Sequence, residues 1–252
     1  MNQAQAEVML EAAREHGVFF MEAFMYRCHP QTGRLFELIR SNAVGSVRYV
    51  SATFGFAAGF DPDSRLYKKE LGGGGIMDVG CYPVSMCRMI AGAMNGEGFA
   101  DPVSVVGRGA LVETGVDGTA AATLKFENGL VAQVACSAQA WLDNQVVIYG
   151  SDGRIVVPNP WLHNREEAEP GLIEVHRDGE TERIDIPVDR TSFSYEADAV
   201  AEAIAAGRQQ VSAPAMRWGD TLGNIATLDR WRDEAGVVYP DETPEGQGTS
   251  TV

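Results

Sequence analysis

Basic residues are scarce. The chain of 252 residues carries 20 Lys and Arg against 35 Asp and Glu, a formal charge of −15. Such a surface repels a phosphate backbone, and the few cations are scattered, so nucleic-acid binding is excluded. Cysteine is sparse too: Cys28, Cys81, Cys87 and Cys136 form neither a CxxC pair nor a Cys/His cluster. They read as buried thiols in a reducing compartment, which excludes a disulfide framework and a structural zinc. No apolar run approaches the roughly 18 to 20 residues that span a membrane. Met1 is followed by Asn-Gln-Ala-Gln and not by a basic, then apolar leader, so a cytoplasmic protein is expected. Nucleotide fingerprints are also missing. A G-x-G-x-x-G begun at Gly72 or Gly73 would need a third glycine where Met77 and Asp78 stand, and no G-x-x-x-x-G-K-[ST] occurs.

What is present is core material. Hydrophobic residues make up 45% of the chain, enough for one large domain, or a domain plus a fragment, without covalent staples. Residues 3–16 place Ala6, Met9, Leu10 and Ala13 at helical spacing before Gly17, and a helix is expected there. Residues 18–24, VFFMEAF, form a short apolar run of the kind buried on both faces of a parallel sheet. The residues before it supply no partner strand. Residues 30–40 repeat a helical pattern and 46–56 alternate as a strand. From residue 102 onward strand-like runs succeed one another, punctuated by Asn128-Gly129, Asp152-Gly153 and Asp178-Gly179, which are strong hairpin signals. Helices over 193–206 and 216–234 follow, and residues 241–252 lack core formers and are expected to be disordered. The expected fold is α+β: a mostly antiparallel open sheet with helices on one face, preceded by a helix and strand from a parallel unit.

The most informative stretch is 71–83, LGGGGIMDVGCYP, which runs into a helical pattern through Val84, Met86, Cys87 and Ile90. Asp78 and Tyr82 lie four apart and share a helix face. Two readings remain open: Asp78 caps a turn and Tyr82 packs while the glycines allow close approach, or the glycine loop faces a small ligand with Tyr82 as proton donor and acceptor and Asp78 orienting it.

Residues 21–31 (MEAFMYRCHPQ), 72–83, the run YEADAVAEAI and the later WGDTLGN together resemble the Gfo/Idh/MocA family of NAD(P)-dependent oxidoreductases, in the branch of dihydrodiol dehydrogenase, glucose–fructose oxidoreductase and D-xylose dehydrogenase. The likeness runs from residue 1 to about 240. It implies a Rossmann domain followed by a domain on an open sheet that also makes subunit contacts. On that basis residues 1–25 are the end of a dinucleotide-binding domain, 26–240 a substrate-binding and oligomerisation domain, and 241–252 a tail.

The resemblance also implies roles. Tyr82 would exchange a proton with a sugar, polyol or dihydrodiol while hydride passes to or from NAD or NADP, and Asp78 belongs to the same motif. A tyrosine of ordinary pKa, about 10, needs a nearby cation to work near neutrality. The family's cation is a lysine in a Glu-Lys-Pro motif, which would fall before residue 1. Tyr26 and Arg27 are candidates for the cofactor side, and Arg27, His29, Phe56 and Arg65 for the substrate side, because α/β sheets bind ligands at strand carboxyl ends. A surface turn explains Tyr26, Arg27 and His29 as well, and a core aromatic and a solvated charge explain Phe56 and Arg65. His163 and His176 read as surface or strand residues, and Trp161, Trp218 and Trp231 as packing anchors.

The missing phosphate-binding unit leaves three options: a longer gene product with a misassigned start, a separate nucleotide-binding polypeptide, or a non-catalytic module that dimerises through its sheet. A metal-dependent hydrolase ranks last, since no metal-ligand spacing occurs.

Overall fold

A computed structural model of the chain describes residues 2–162, 164 and 166–242. The first helix, α1 (Gln3–Glu15), starts at Asn2, whose side chain accepts from the Gln5 N–H, and stops before Gly17 in the left-handed region. Residues 18–24 depart from expectation. They run without any strand pairing, and Phe20 N–H reaches only the carbonyl of Gln209. A strand exists only by its neighbours, and the described residues offer this segment none. A short helix, α2 (Met25–Cys28), follows, then α3 (Pro30–Arg40), with Pro30 at its first position.

Eight strands form one sheet: β1 (Val47–Gly55), β2 (Pro102–Leu111), β3 (Asp117–Phe126), β4 (Val131–Ser137), β5 (Val146–Gly150), β6 (Gly153–Val157), β7 (Gly171–Arg177) and β8 (Glu180–Ile186), in the order β2-β3-β4-β1-β5-β6-β7-β8. All three expected hairpins form, joining β3 to β4, β5 to β6 and β7 to β8. The sheet is nevertheless mixed. β1 enters its middle, antiparallel to β5 but parallel to β4.

Between β1 and β2 runs α4 (Cys81–Met94), and α5 (Ser192–Ala205) and α6 (Trp218–Ala235) follow β8. The inward side chains of the sheet, among them Val50, Ala52, Leu124, Ala132, Val134, Ile148 and Ile173, are buried against α3, α4 and α6. Their small size lets α4 lie close to the central strands. The opposite face carries Ser51, Thr53, Arg108, Ala121, Thr123 and Gln133 and lines a shallow cavity of about 470 Å³. Trp161 and Trp231 are core residues, and Trp218, partly exposed, bonds the Phe20 carbonyl. Cys81, Cys87 and Cys136 are buried free thiols, and Cys28 is half-buried. Among the described residues no helix is long and apolar enough to cross a membrane. The expected tail, from residue 243, and His163 lie outside the described residues.

Candidate functional site

The glycine run closes a tight turn against protein, not against open space. Gly72 and Gly74 have φ of 70° and 120°, and a side chain on Gly74 would collide with Asp117 Oδ1. A Cβ on Gly73 would stand 2.9 Å from the carbonyls of Leu66 and Lys68. The turn is therefore glycine because the fold occupies the space a Cβ would need. Close approach of neighbouring backbone and of Asp117 is what Gly73 and Gly74 provide.

From the turn the chain enters one wide π-helical turn, Ile76–Gly80, before tightening into α4. Asp78 and Tyr82 thus sit on successive turns across a π-to-α junction, not on a regular α-helix. Such interruptions recur at functional sites because they redirect side chains without ending the helix. The Asp78 side chain is 15% exposed, and its Oδ1 accepts from Arg65 Nη1 at 2.5 Å. Arg65 reaches it from the loop after β1 and is itself 74% exposed. Half-buried Tyr82 lies among aromatic rings, with centroids 5.1 Å from Phe24, 5.6 Å from Tyr26, 5.3 Å from Phe54 and 6.0 Å from Trp161. Its hydroxyl is 3.8 Å from Met25 Sδ. Phe56, just past β1 and half-buried, packs at the edge of the same core. Arg65 and Asp78 are thus paired at the π turn, Tyr82 packs at the start of α4 beside Phe54 of β1, and Phe56 lies just past the end of β1.

The remaining candidates turn inward. Tyr26 is fully buried and donates to the Tyr82 carbonyl at 3.2 Å; burial drives its phenol far above the ordinary range. Arg27 is 1% exposed. It donates to the Pro214 carbonyl, Ser85 Oγ and Asp220 Oδ2, each at 2.6 Å. Asp220 in turn accepts from Arg88 at 2.5 Å, and Arg88 also pairs with Asp101. This guanidinium has its partners inside the protein, and neither Tyr26 nor Arg27 is exposed at the surface. His29 caps α3: its Nδ1 accepts from the Gln31 N–H at 3.1 Å. Burial lowers its pKa to about 4, so near neutrality the ring is the uncharged acceptor the cap requires.

Several contributors escaped the sequence reading. Asp117 and Tyr239 grip the glycine turn, and Phe24, Phe54 and Trp161 surround Tyr82. The one available signal was the acid at the head of a strand in Val116-Asp117-Gly118. No group of three or more metal-ligating side chains occurs among the described residues.

Residues 33–156 match the family model described as the GFO/IDH/MocA C-terminal domain. The chain is 33% identical over 249 residues to trans-1,2-dihydrobenzene-1,2-diol dehydrogenase of Xenopus laevis, covering 95% of this chain and 70% of that protein. To the Mus musculus protein of the same name it is 28% identical over 250 residues, covering 96% and 69%. Solved structures share the fold. KijD10, a 3-ketoreductase from Actinomadura kijaniata in complex with NADP and TDP-benzene, superposes with a TM-score of 0.77 at 23% identity, over 93% of this chain and 68% of that one. An aldose-aldose oxidoreductase from Caulobacter crescentus complexed with glycerol gives 0.78 at 22% identity, over 93% and 67%.

Proposed function

The chain belongs to the GFO/IDH/MocA family, and on that premise we propose that it serves an NAD(P)-dependent oxidoreductase as the part that faces a sugar, polyol or dihydrodiol. Tyr82 is the proton donor and acceptor at the substrate oxygen. Asp78, held by Arg65, orients the substrate or the phenol. The observation that supports this reading is the junction at the start of α4, where Asp78, paired with Arg65, and Tyr82, packed against Phe54 of β1, stand four residues apart across the change from π to α helix. The aromatic surroundings of Tyr82 favour a substrate that presents a flat or apolar face.

The coenzyme supplies or receives hydride when bound. The described residues do not fit its phosphates. The glycine turn is filled by the Asp117 carboxylate, which would repel an anion, and Tyr26 and Arg27 face the interior. The chemistry of these residues is the proton transfer. Residues 1–25 are assigned as the end of a dinucleotide-binding domain and 26–240 as the substrate domain. Homo-oligomerisation is assigned to the open sheet face around Thr53, Arg108 and Gln133.

The test is turnover of trans-dihydrodiols, polyols and aldoses with NAD⁺ and NADP⁺. Tyr82→Phe should abolish turnover with folding intact, and unchanged turnover would overturn the assignment. The inward-facing Tyr26 and Arg27 favour one second reading, a binding or dimerisation module that holds no coenzyme. Titration with NADH and NADPH separates the two, since binding at micromolar concentration removes the second.

A further inference from the structure

Asp117 opens β3 with no exposed surface. Its Oδ2 accepts from the Ile76 N–H, the first residue of the π turn, at 2.8 Å. Oδ1 has no partner and fills the space left by the absent side chain of Gly74. Burial raises this acid to about 6 although backbone N–H donation favours its charged form. On the other side, Tyr239 donates to the Gly73 carbonyl at 2.8 Å. Tyr239 is itself fixed: Arg232 lies 4.5 Å from its ring centroid, and Glu242 accepts from both Arg232 and the Tyr239 N–H. The turn is thus gripped by two residues far apart in sequence. Two residues later, the Asp78 N–H bonds the Gly74 carbonyl at 3.0 Å.

A helix start needs only a neutral acceptor such as Ser or Asn for its N–H groups. A fully buried carboxylate with one idle oxygen is an expensive substitute, and such a group calls for a reason. We propose that Asp117, backed by Tyr239, is a positioning residue that fixes the π turn so that Asp78 meets Arg65 in register with Tyr82. The inference rests on the site assigned above but acts through backbone N–H groups, without touching the substrate. A charged acceptor holds the turn more tightly than a neutral one, and it faces the positive end of the π turn and α4.

The experiment compares Asp117→Asn, Asp117→Ala and Tyr239→Phe in the full chain. The Ile76–Gly80 amides are followed by hydrogen exchange. Asp117→Ala should speed exchange at 76–80 by about tenfold or more while β6–β8 exchange as in wild type. Asp117→Asn, which keeps an acceptor for Ile76 but not the charge, should recover only part of the protection, and Tyr239→Phe should move it the same way as Asp117→Ala to a smaller extent. Unchanged exchange at 76–80 in folded Asp117→Ala, or full recovery in Asp117→Asn, overturns the proposal. If the alanine variant fails to fold, unchanged exchange at 76–80 in Tyr239→Phe overturns it equally. Where wild type turns over a dihydrodiol, Asp117→Ala should lower kcat about tenfold at constant KM. Absence of wild-type turnover would remove the oxidoreductase reading alone, and the amide exchange at 76–80 would still decide this one.

Discussion

Replacing Asp220 by alanine removes the acid that two buried arginines share. Its two carboxylate oxygens are shared between Arg27 Nη2 at 2.6 Å and Arg88 Nη1 at 2.5 Å, and both guanidinium side chains are fully buried. After Asp220→Ala, Arg88 keeps Asp101, a carboxylate more than half exposed, together with the carbonyl of residue 220. Arg27 keeps only neutral hydrogen-bond acceptors, Ser85, Met216 Sδ and the Pro214 carbonyl, with the Glu22 carboxyl near enough to interact but not bonded to it. One buried cation loses its hydrogen-bonded counter-charge, and such a loss costs about 3–5 kcal/mol. For a chain of this size that lowers Tm by roughly 6–20 °C, a large share of a total stability of about 5–15 kcal/mol. Urea unfolding followed by circular dichroism measures the loss. The double variant Arg27→Met with Asp220→Leu removes the stranded charge, so it should be less destabilised than Asp220→Ala alone. A loss below about 1 kcal/mol, the worth of an exposed ion pair, would refute the account.

Three further outcomes are expected. Burial raises the Glu22 carboxyl to about 7, so its contribution to stability is complete below about pH 4.5 and is lost as pH rises through 7. Glu22→Gln, which cannot ionise, should therefore gain on wild type by up to about 3 kcal/mol between pH 5 and 8; equal stabilities across that range, by urea unfolding, would show that Glu22 does not titrate this way. Gly74→Ala combines a φ of 120° with a collision against Asp117 and should cost about 2 kcal/mol or more. Gly96→Ala, with φ of 78° but open space around it, should cost about 1 kcal/mol; equal losses in thermal melts would contradict the steric explanation. His29→Ala removes the acceptor for Gln31 N–H and should cost about 1 kcal/mol through the α3 cap, whereas His29→Asn should restore most of it.

Much of the scaffold was legible because it is encoded locally. Asp178 and Gly179 take φ of 55° and 80°, the pair of left-handed residues that a two-residue hairpin demands, and Asp-Gly announces them. Pro30 starts α3, and Gly17 follows the end of α1, where short-range rules place them. Non-local relations stayed hidden. The run 18–24 has the composition of a buried strand, but composition names no neighbour, and the segment pairs with none. The alternation of β1 shows a strand without disclosing that it lies parallel to β4. Within the site, the helical spacing of Asp78 and Tyr82 was readable, but the π turn that carries Asp78 is bonded at its start by Asp117, about forty residues later. Arg27 shows the same limit. Its charge suggested a ligand, and only folding brings Asp220 to neutralise it.

The place of β1 in the sheet has a kinetic consequence. β2–β4 and β5–β8 are two meanders, each stitched from neighbouring sequence, and contacts of that kind assemble quickly. Among the described strands the meanders meet in the sheet only through the strand that precedes them both, since Tyr49 stands opposite Val131 on one side and Tyr149 on the other. Closing that seam requires the largest loop closures in the sheet, so insertion of β1 is expected to be the late, rate-setting event of folding, with the two meanders waiting as separate wings until the wedge between them is driven home.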